Sequence, residues 1–280
     1  MTIGLSQKHW DPAPVLPRQL AALEVRLART SAEIEAAMRL RHMVFREERS
    51  AGPEHRTNLL DRDHYDAACD HLVVTDPFKG DRIVGTYRLL RQERTGQTGG
   101  FYSASMFDIE PLISRHPEKR FLELGRSCVA PEYRGKQTLD LLWKGVWAYS
   151  RRHRTDVMIG SVSLPGADAN AHSQALSFLH HNCLADGPWR IGALEKRRAD
   201  PPILPPEKVD NRRAFAGLPP LIKSYLRAGA KLAHGCVADA DLDTTVVFMV
   251  MPVDTIEGRY LRHYGNRAGN AENGGILPPS

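Results

Sequence analysis

Phe121-Leu-Glu-Leu-Gly-Arg-Ser-Cys-Val-Ala130, continued by Pro131-Glu-Tyr-Arg-Gly-Lys136 and then by a long amphipathic segment, decides how this chain folds. The first part is an apolar run interrupted by Glu123 and Arg126, and it reads as a buried strand. Strict alternation would place those two charges on opposite faces. Gly125 between them predicts a β-bulge that brings both to one face. A bulge also leaves backbone N–H groups able to bond a thioester carbonyl and the oxyanion that forms from it. The plainer alternative is an unbroken strand with one ion pair, and these ten positions alone do not choose between the two. The second part is a turn with Arg134, Gly135 and Lys136 placed just ahead of a helix over Lys136–His153. A strand, a basic glycine turn and a helix N-terminus together make an anion site. Leu139, Leu142, Trp143, Val146 and Ser150 line one side of that helix. Lys136, Asp140 and Lys144 lie on another, with Asp140 four residues before Lys144.

The remaining elements follow outward from this unit. Upstream, Leu23–Arg29 alternates as a strand. His71–Thr75 and Arg82–Leu90 read as paired strands around the turn Asp76–Asp81. Thr95–Gly100 reads as a loop and Phe107–Ser114 as a short helix. Downstream come a strand over Asp156–Val162, a helix over Asn170–Asn182, a proline-rich stretch over Asp200–Pro206, a proline-opened helix over Pro219–Lys231 and a buried strand over Thr244–Met251. Residues 1–20 read as a polar, proline-containing tail, 21–264 as one domain, and 265–280 as a disordered end rich in glycine and asparagine. Helices alternate with strands, some of them hairpin-paired. The expected fold is α/β, a mixed sheet with helices on both faces.

Thr30–Glu48 reads as a helix capped by Thr30, with Glu33 completing a capping box. Ile34, Ala37, Met38, Val44 and Phe45 make its apolar side, and Arg41 projects from the middle of it. A guanidinium there requires acidic partners or a polar cavity. It is either a structural ion pair or the wall of an active site.

Composition narrows the function classes. The chain has 280 residues, a net charge of +5 and four cysteines, with a sequence pI of about 9.1. The basic excess suggests an anionic partner. No stripe of aromatics alternates with the basic residues, so nucleic acid is not the expected one. Cys69, Cys128, Cys183 and Cys236 are widely spaced and form no metal motif. The opening residues have no long apolar region and are not expected to be a signal peptide. The apolar run Val246–Met251 is far too short to span a bilayer. The expectation is a cytoplasmic chain with reduced thiols, compatible with peripheral contact at the inner face of the membrane.

The pattern Val129-x-Pro-x-Tyr-Arg-Gly135 resembles the cofactor-binding turn of the GNAT acyltransferases. Four blocks in order, Leu40-Arg-His-Met-Val-Phe-Arg-Glu47, Asp63-His-Tyr-Asp66, Val84-Gly-Thr-Tyr-Arg-Leu-Leu90 and Glu123-Leu-Gly-Arg126, resemble those of acyl-homoserine-lactone synthases. A closer resemblance, over roughly Leu23 to Tyr264, is to the L-ornithine N-alpha-acyltransferases. It rests on Tyr133-Arg134, Leu142-Trp143 and the segment Pro219-Pro-Leu-Ile-Lys-Ser-Tyr-Leu-Arg-Ala-Gly-Ala230. This resemblance implies a GNAT-like, mostly antiparallel sheet. It also implies transfer of a 3-hydroxyacyl chain from acyl carrier protein to the α-amine of L-ornithine, giving lyso-ornithine lipid. No tightly bound cofactor is expected, the donor being the phosphopantetheine thioester of the carrier protein.

The residues supply a mechanism beside the name. An amine attacks a thioester only when neutral, so a carboxylate must take its proton, directly or through water. Glu123 is that candidate, with Arg126 as its catalytic companion. Asp63 and Asp66 are candidates to hold the cationic groups of ornithine or to pair with Arg41. Arg88 and Arg126 are candidates for its carboxylate, since arginine favours bidentate contacts. Val129, Arg134, Gly135 and Lys136 are the expected phosphopantetheine site. Arg134, Lys136, Lys144, Arg151, Arg152 and Arg154 form the expected docking face for acidic acyl carrier protein. Gln137 and Leu139 stand where a coenzyme A enzyme of this fold carries further glycines, which favours the carrier protein as donor. Cys128 reads as an inert buried thiol. The rival readings are a lactone-type signal synthase, an acyltransferase with another amino-acid acceptor, a glycerolipid O-acyltransferase suggested by His181-x4-Asp186, and an inactive carrier-binding module.

Overall fold

The structure is a computed structural model, and it describes residues 23–47 and 59–256. The tails expected over 1–20 and 265–280 lie outside the described residues, as do Glu48 and most of the loop after it.

The strands are β1 (Glu24–Leu27), β2 (Asp70–Asp76), β3 (Arg82–Arg91), β4 (Phe121–Val129), β5 (Val157–Pro165), β6 (Arg198–Ala199), β7 (Lys231–Leu232), β8 (Cys236–Asp239) and β9 (Thr244–Pro252). They form one sheet in the order β1-β2-β3-β4-β5-β9-β8-β6, with β7 also on β9. Every neighbouring pair is antiparallel except β4 with β5. The β2–β3 connection is the tight turn expected at Asp76–Asp81. The Asp76 side chain accepts from the Phe78 N–H, and Gly80 and Asp81 take left-handed backbone at φ 63° and 56°.

The helices are α1 (Ser31–His42), α2 (Ile109–Ser114), α3 (Lys136–Arg152), α4 (Ser173–Cys183), α5 (Asn211–Gly217) and α6 (Pro220–Ala228). The Thr30 hydroxyl caps α1 by accepting from the Glu33 N–H at 3.2 Å. The Glu33 carboxylate takes the Arg29 N–H at 2.6 Å and the fork of Arg26 at 2.7 and 3.0 Å, so it staples α1 to β1. On the opposite face Gly145 brings α3 directly onto the sheet. A Cβ there would fall 2.7 Å from Val25 and 2.8 Å from Leu72. Helices thus cover both faces of a mostly antiparallel sheet.

Two features of β4 govern the site. Opposite β3, the register shifts between Thr86 and Arg88, where Cys128 and Gly125 are the partners, so β4 carries one residue more than β3. This is a bulge, and Arg126 takes the left-handed conformation in it, at φ 49°. Gly125 itself is not sterically required, because the nearest atom to a Cβ there is 4.0 Å away. The second feature is the parallel pair. β4 and β5 are in register only over Phe121–Glu123 and Val157–Ile159. Beyond that point β4 stays with β3 as far as Val129, and β5 stays with β9 as far as Pro165. The sheet therefore splits, and the edges of Gly125–Val129 and Ser161–Pro165 do not pair with each other.

Several elements differ from the sequence reading. The first helix does not run on as α-helix but widens to a π-helical turn over Met43–Glu47. Thr95–Gly100 is not a simple loop, since a 3-10 turn spans Gln92–Gln97. The helix expected through Lys231 stops at Ala228, because Gly229 turns left-handed at φ 101°. Lys231 and Leu232 then pair with β9.

Candidate active site

The site is built where α1, the segment after it, β3 and the β4 bulge converge. Arg41 is 1% exposed. Its guanidinium forks onto Asp66 at 2.8 and 3.0 Å, and its Nε lies 3.0 Å from an Asp61 carboxylate oxygen. Arg88 reaches Asp63 at 2.6 Å and Asp66 at 3.2 Å from β3. Arg126 comes in from the bulge, with Nε 3.4 Å from Asp61 and Nη2 3.5 Å from Asp63. Three guanidinium groups thus face three carboxylates. Asp66 also accepts the Asp63 N–H at 2.8 Å, and its carbonyl meets His71 Nε2 at 3.0 Å. Burial opposes the charge on Asp66. The hydrogen bonds and charge of Arg41 outweigh it, with Arg88 adding to them, and hold the carboxyl at about 2.

The members of this network differ in what they leave available. Arg41, Asp66 and Arg88 are buried and hold one another. Arg126 and Asp63 are partly open, with side chains 14% and 23% exposed. The contacts of Arg126 at 3.4 and 3.5 Å are longer than charge-assisted hydrogen bonds, and the buried Asp63 oxygen that faces it accepts no hydrogen bond. The Tyr102 ring packs against two of the guanidinium groups, 5.1 Å from that of Arg126 and 5.5 Å from that of Arg88.

Glu123 sits on the same face, 3% exposed, behind Tyr102. A 3-10 turn over Tyr102–Ser105 presents its first amides to the carboxylate. The Tyr102 N–H donates to Oε2 at 2.7 Å and the Ser103 N–H to Oε1 at 2.9 Å. Burial raises the pKa of this carboxyl. The hydroxyl and amide of Ser103, the amide of Tyr102 and the nearby Arg88 only partly offset that rise.

At the far end of β4 stands the anion turn. Val129 closes the strand, and the Arg134 Nε donates to its carbonyl at 3.2 Å. Gly135 is the N-cap of α3 and offers no side chain, so the opening amides of α3 have no side-chain cap. Arg134, Gly135 and Lys136 are exposed there. The turn lies at the mouth of the split between β4 and β5.

Sequence reading missed Asp61, Tyr102, Ser103 and Ser161. An acidic run over 61–70 was visible, but only folding shows that Asp61 meets Arg41. The 3-10 turn that buries Glu123 carries no sequence signal. Gly160 was missed as well, although it sets where the sheet divides. A Cβ there would fall 2.3 Å from the Leu124 carbonyl oxygen. Gly160→Ala is accordingly expected to push β5 off β4 and to cost about 1–3 kcal/mol. A denaturant midpoint equal to that of the parent would refute this. Other motifs resolve as structure. His181 bonds the Leu204 carbonyl at 2.7 Å, and Asp186 begins the turn Gly187–Trp189, so the pair makes no O-acyltransferase site. Cys128 is buried, and the four cysteines form no disulfide. Among the described residues no cluster suits a metal, and no helix is long and apolar enough to cross a membrane.

A buried glutamate beside a divided sheet, with an anion turn at its mouth, is an acyltransferase arrangement. The model of the acetyltransferase (GNAT) domain matches residues 40–144, a span that includes Arg41, Glu123 and the anion turn. The fold is also that of a CoA-dependent acyl-homoserine lactone synthase, BjaI. The TM-score is 0.50 at 14% identity, over 88% of this chain and 90% of that one. The protein is a GNAT-fold acyltransferase. It is 51% identical over 89% of its length to the L-ornithine N(alpha)-acyltransferase of Agrobacterium fabrum, of which the match covers 87%. It is 50% identical over 92% of its length to that of Rhizobium meliloti, with 89% of the relative covered. The chain belongs to the L-ornithine N(alpha)-acyltransferase family.

Proposed function

We propose that this enzyme moves a 3-hydroxyacyl chain from the thioester of acyl carrier protein to the α-amine of L-ornithine, forming lyso-ornithine lipid in the first step of ornithine lipid synthesis. The observation that carries the chemistry is Glu123, a buried carboxylate of raised pKa placed where β4 and β5 part. Glu123 is the base that neutralises the attacking amine. Arg126 takes the acceptor's carboxylate, and the partly exposed carboxylate of Asp63 takes its side-chain ammonium. Arg41, Asp66 and Arg88 hold those two groups in place from behind. The charge fits: the three guanidinium and three carboxylate groups cancel, Glu123 adds one negative charge, and ornithine carries a net +1. A neutral amino acid such as glutamine would leave the site with an excess negative charge. Asp63→Asn is expected to raise the KM for ornithine about tenfold and leave that for the donor unchanged; equal KM values for ornithine would refute this role.

The donor's phosphopantetheine lies in the split of the sheet. The unpaired edges of Gly125–Val129 and Ser161–Pro165 suit an extended, amide-bearing arm, which can bond both as an inserted strand would. Its phosphate meets Arg134, Lys136 and the amides at the start of α3. Gln137 and Leu139 crowd the ground a nucleotide pyrophosphate would need, which favours the single phosphodiester of a carrier protein. Lys136, Lys144 and Arg151 fall within about 80° of arc on α3, a helix about 25 Å long. With Arg152 and Arg154 beyond, they make a basic track leading away from the anion turn for an acidic carrier protein. Such a reaction runs in the cytoplasm, with a lipid product passed to the inner face of the membrane.

The deciding assay offers the purified enzyme several amino acids with 3-hydroxyacyl carrier protein and identifies products by mass. Transfer to another acceptor without ornithine acylation would overturn the substrate. Better catalytic efficiency with a matched acyl-coenzyme A would overturn the donor. Charge reversal at Arg151 and Arg152 is expected to raise the KM for the carrier protein, and added salt to weaken the wild-type enzyme likewise, with ornithine affinity unmoved. Indifference to both would place docking elsewhere.

A further inference from the structure

Glu123 cannot be reached directly by an amine. Both of its oxygens accept backbone N–H groups, and Tyr102 and Ser103 lie over it. Its way out runs through hydroxyls. Ser103 is fully buried and held against Glu123 by its own N–H, which donates to Oε1 at 2.9 Å, and its hydroxyl is one of the groups that favour the charged carboxylate. The Ser103 Oγ lies 2.7 Å from the Oγ of Ser161. Ser161 follows Gly160 on β5, at the first position past the contact with Leu124. It is half-buried, while Ser103 and Glu123 are not reachable from outside. Ser161 therefore borders the split in which the thioester would lie.

We propose that Ser161 and Ser103 form a two-hydroxyl relay that carries the acceptor's ammonium proton to Glu123. The inference rests on the reading of Glu123 as the base. A serine hydroxyl can accept one hydrogen bond while donating another, so it can receive a proton and pass on its own. The ammonium N–H bond breaks as a proton joins Ser161 Oγ. The original Ser161 proton moves to Ser103, and the original Ser103 proton moves to the Glu123 carboxylate. This leaves a neutral amine, two neutral hydroxyls with reversed bonds, and a protonated Glu123. The amine lone pair then forms the C–N bond, the C–S bond breaks, and the departing thiolate takes a proton from the new nitrogen. Glu123 returns its proton to solvent through the same hydroxyls. The products are an amide, a thiol and one released proton. Ser161 is the catalytic residue of the pair, since it touches the amine, and Ser103 is its bridge.

The test measures thiol release from the acyl carrier protein thioester, with whichever amine acceptor supports turnover, for Ser161→Ala, Ser161→Thr, Glu123→Gln and the Ser161→Ala/Glu123→Gln double variant. Ser161→Ala is expected to lower kcat about 100-fold with the donor KM unchanged, and its rate should climb with pH as free amine accumulates. Ser161→Thr should restore most of the rate. The double variant should be little slower than either single one, because one path is broken twice. A Ser161→Ala enzyme as fast as the parent, or losses that multiply in the double variant, would overturn the relay. Slow Glu123→Gln beside normal Ser161→Ala would remove the relay alone, whereas normal Glu123→Gln would remove the base as well. A proton inventory of the unmodified enzyme in mixed light and heavy water gives an answer independent of any variant's folding: a curved plot is expected, and a linear one overturns the proposal.

Discussion

Glu123→Gln is expected to lower kcat by a factor of about 10²–10⁴, the usual contribution of a positioned acid or base. An amide cannot take the proton that the attacking amine must lose. The substitution also turns an NH2 group toward one of two amide donors, Tyr102 N–H or Ser103 N–H, that now point at carboxylate oxygens. One buried donor is left unpaired, at a cost of about 1–3 kcal/mol. The two effects separate experimentally. A stability loss alone would lower the yield of folded enzyme without changing turnover per folded molecule, whereas loss of the base lowers turnover itself. The pH dependence supplies a second check. Burial raises the Glu123 pKa, so the acid limb of the wild-type kcat profile should lie above the usual glutamate range. In the variant that limb should be replaced by a rate following the free-amine fraction, with the deficit widening as pH falls from alkaline values. A fully active variant would remove Glu123 from the chemistry.

Arg41→Ala is expected to cost about 3–5 kcal/mol, because it leaves the carboxylates of Asp66 and Asp61 buried with one partner fewer. The effect carries a pH signature whose sign follows from Asp66. Its folded pKa, about 2, lies below its ordinary value of 3.8. The stabilisation is therefore complete above the ordinary value and is lost as pH falls through about 2. The gap in stability between parent and Arg41→Ala should be widest near neutral pH and should narrow as the medium is acidified through that window. Urea unfolding at neutral pH and near pH 3 measures both. Arg41→Lys is expected to rescue little, since an ammonium cannot fork onto Asp66 while also meeting Asp61. A gap that stays constant with pH would mean that the arginine acts through packing and not through these acids.

Much of this protein was legible along the chain because its signals are local. An apolar run broken by Glu123 and Arg126, a glycine turn and an amphipathic helix follow one another without a gap, and periodicity alone places β4, the anion turn and α3. Arg41 announced itself in the same way, since a guanidinium on an apolar helix face must have partners, whatever the fold. The ordered motifs also pointed to a GNAT-like sheet and to the family. Other features depended on which residues folding brings together. Asp61 and Asp63 look alike in sequence, yet Asp61 is buried against Arg41 while the Asp63 side chain stays partly exposed beside Arg88 and Arg126. The bulge could be anticipated from Gly125, but the left-handed residue is Arg126, because it is the register against β3 that leaves the extra residue. The split of the sheet, the seat of Glu123 behind Tyr102 and Ser103, and the contact of Ser103 with Ser161 join segments distant in sequence. Such contacts are decided by packing across strands, where no local propensity reports them, and they determine which of the charged residues face a substrate and which only hold the others in place.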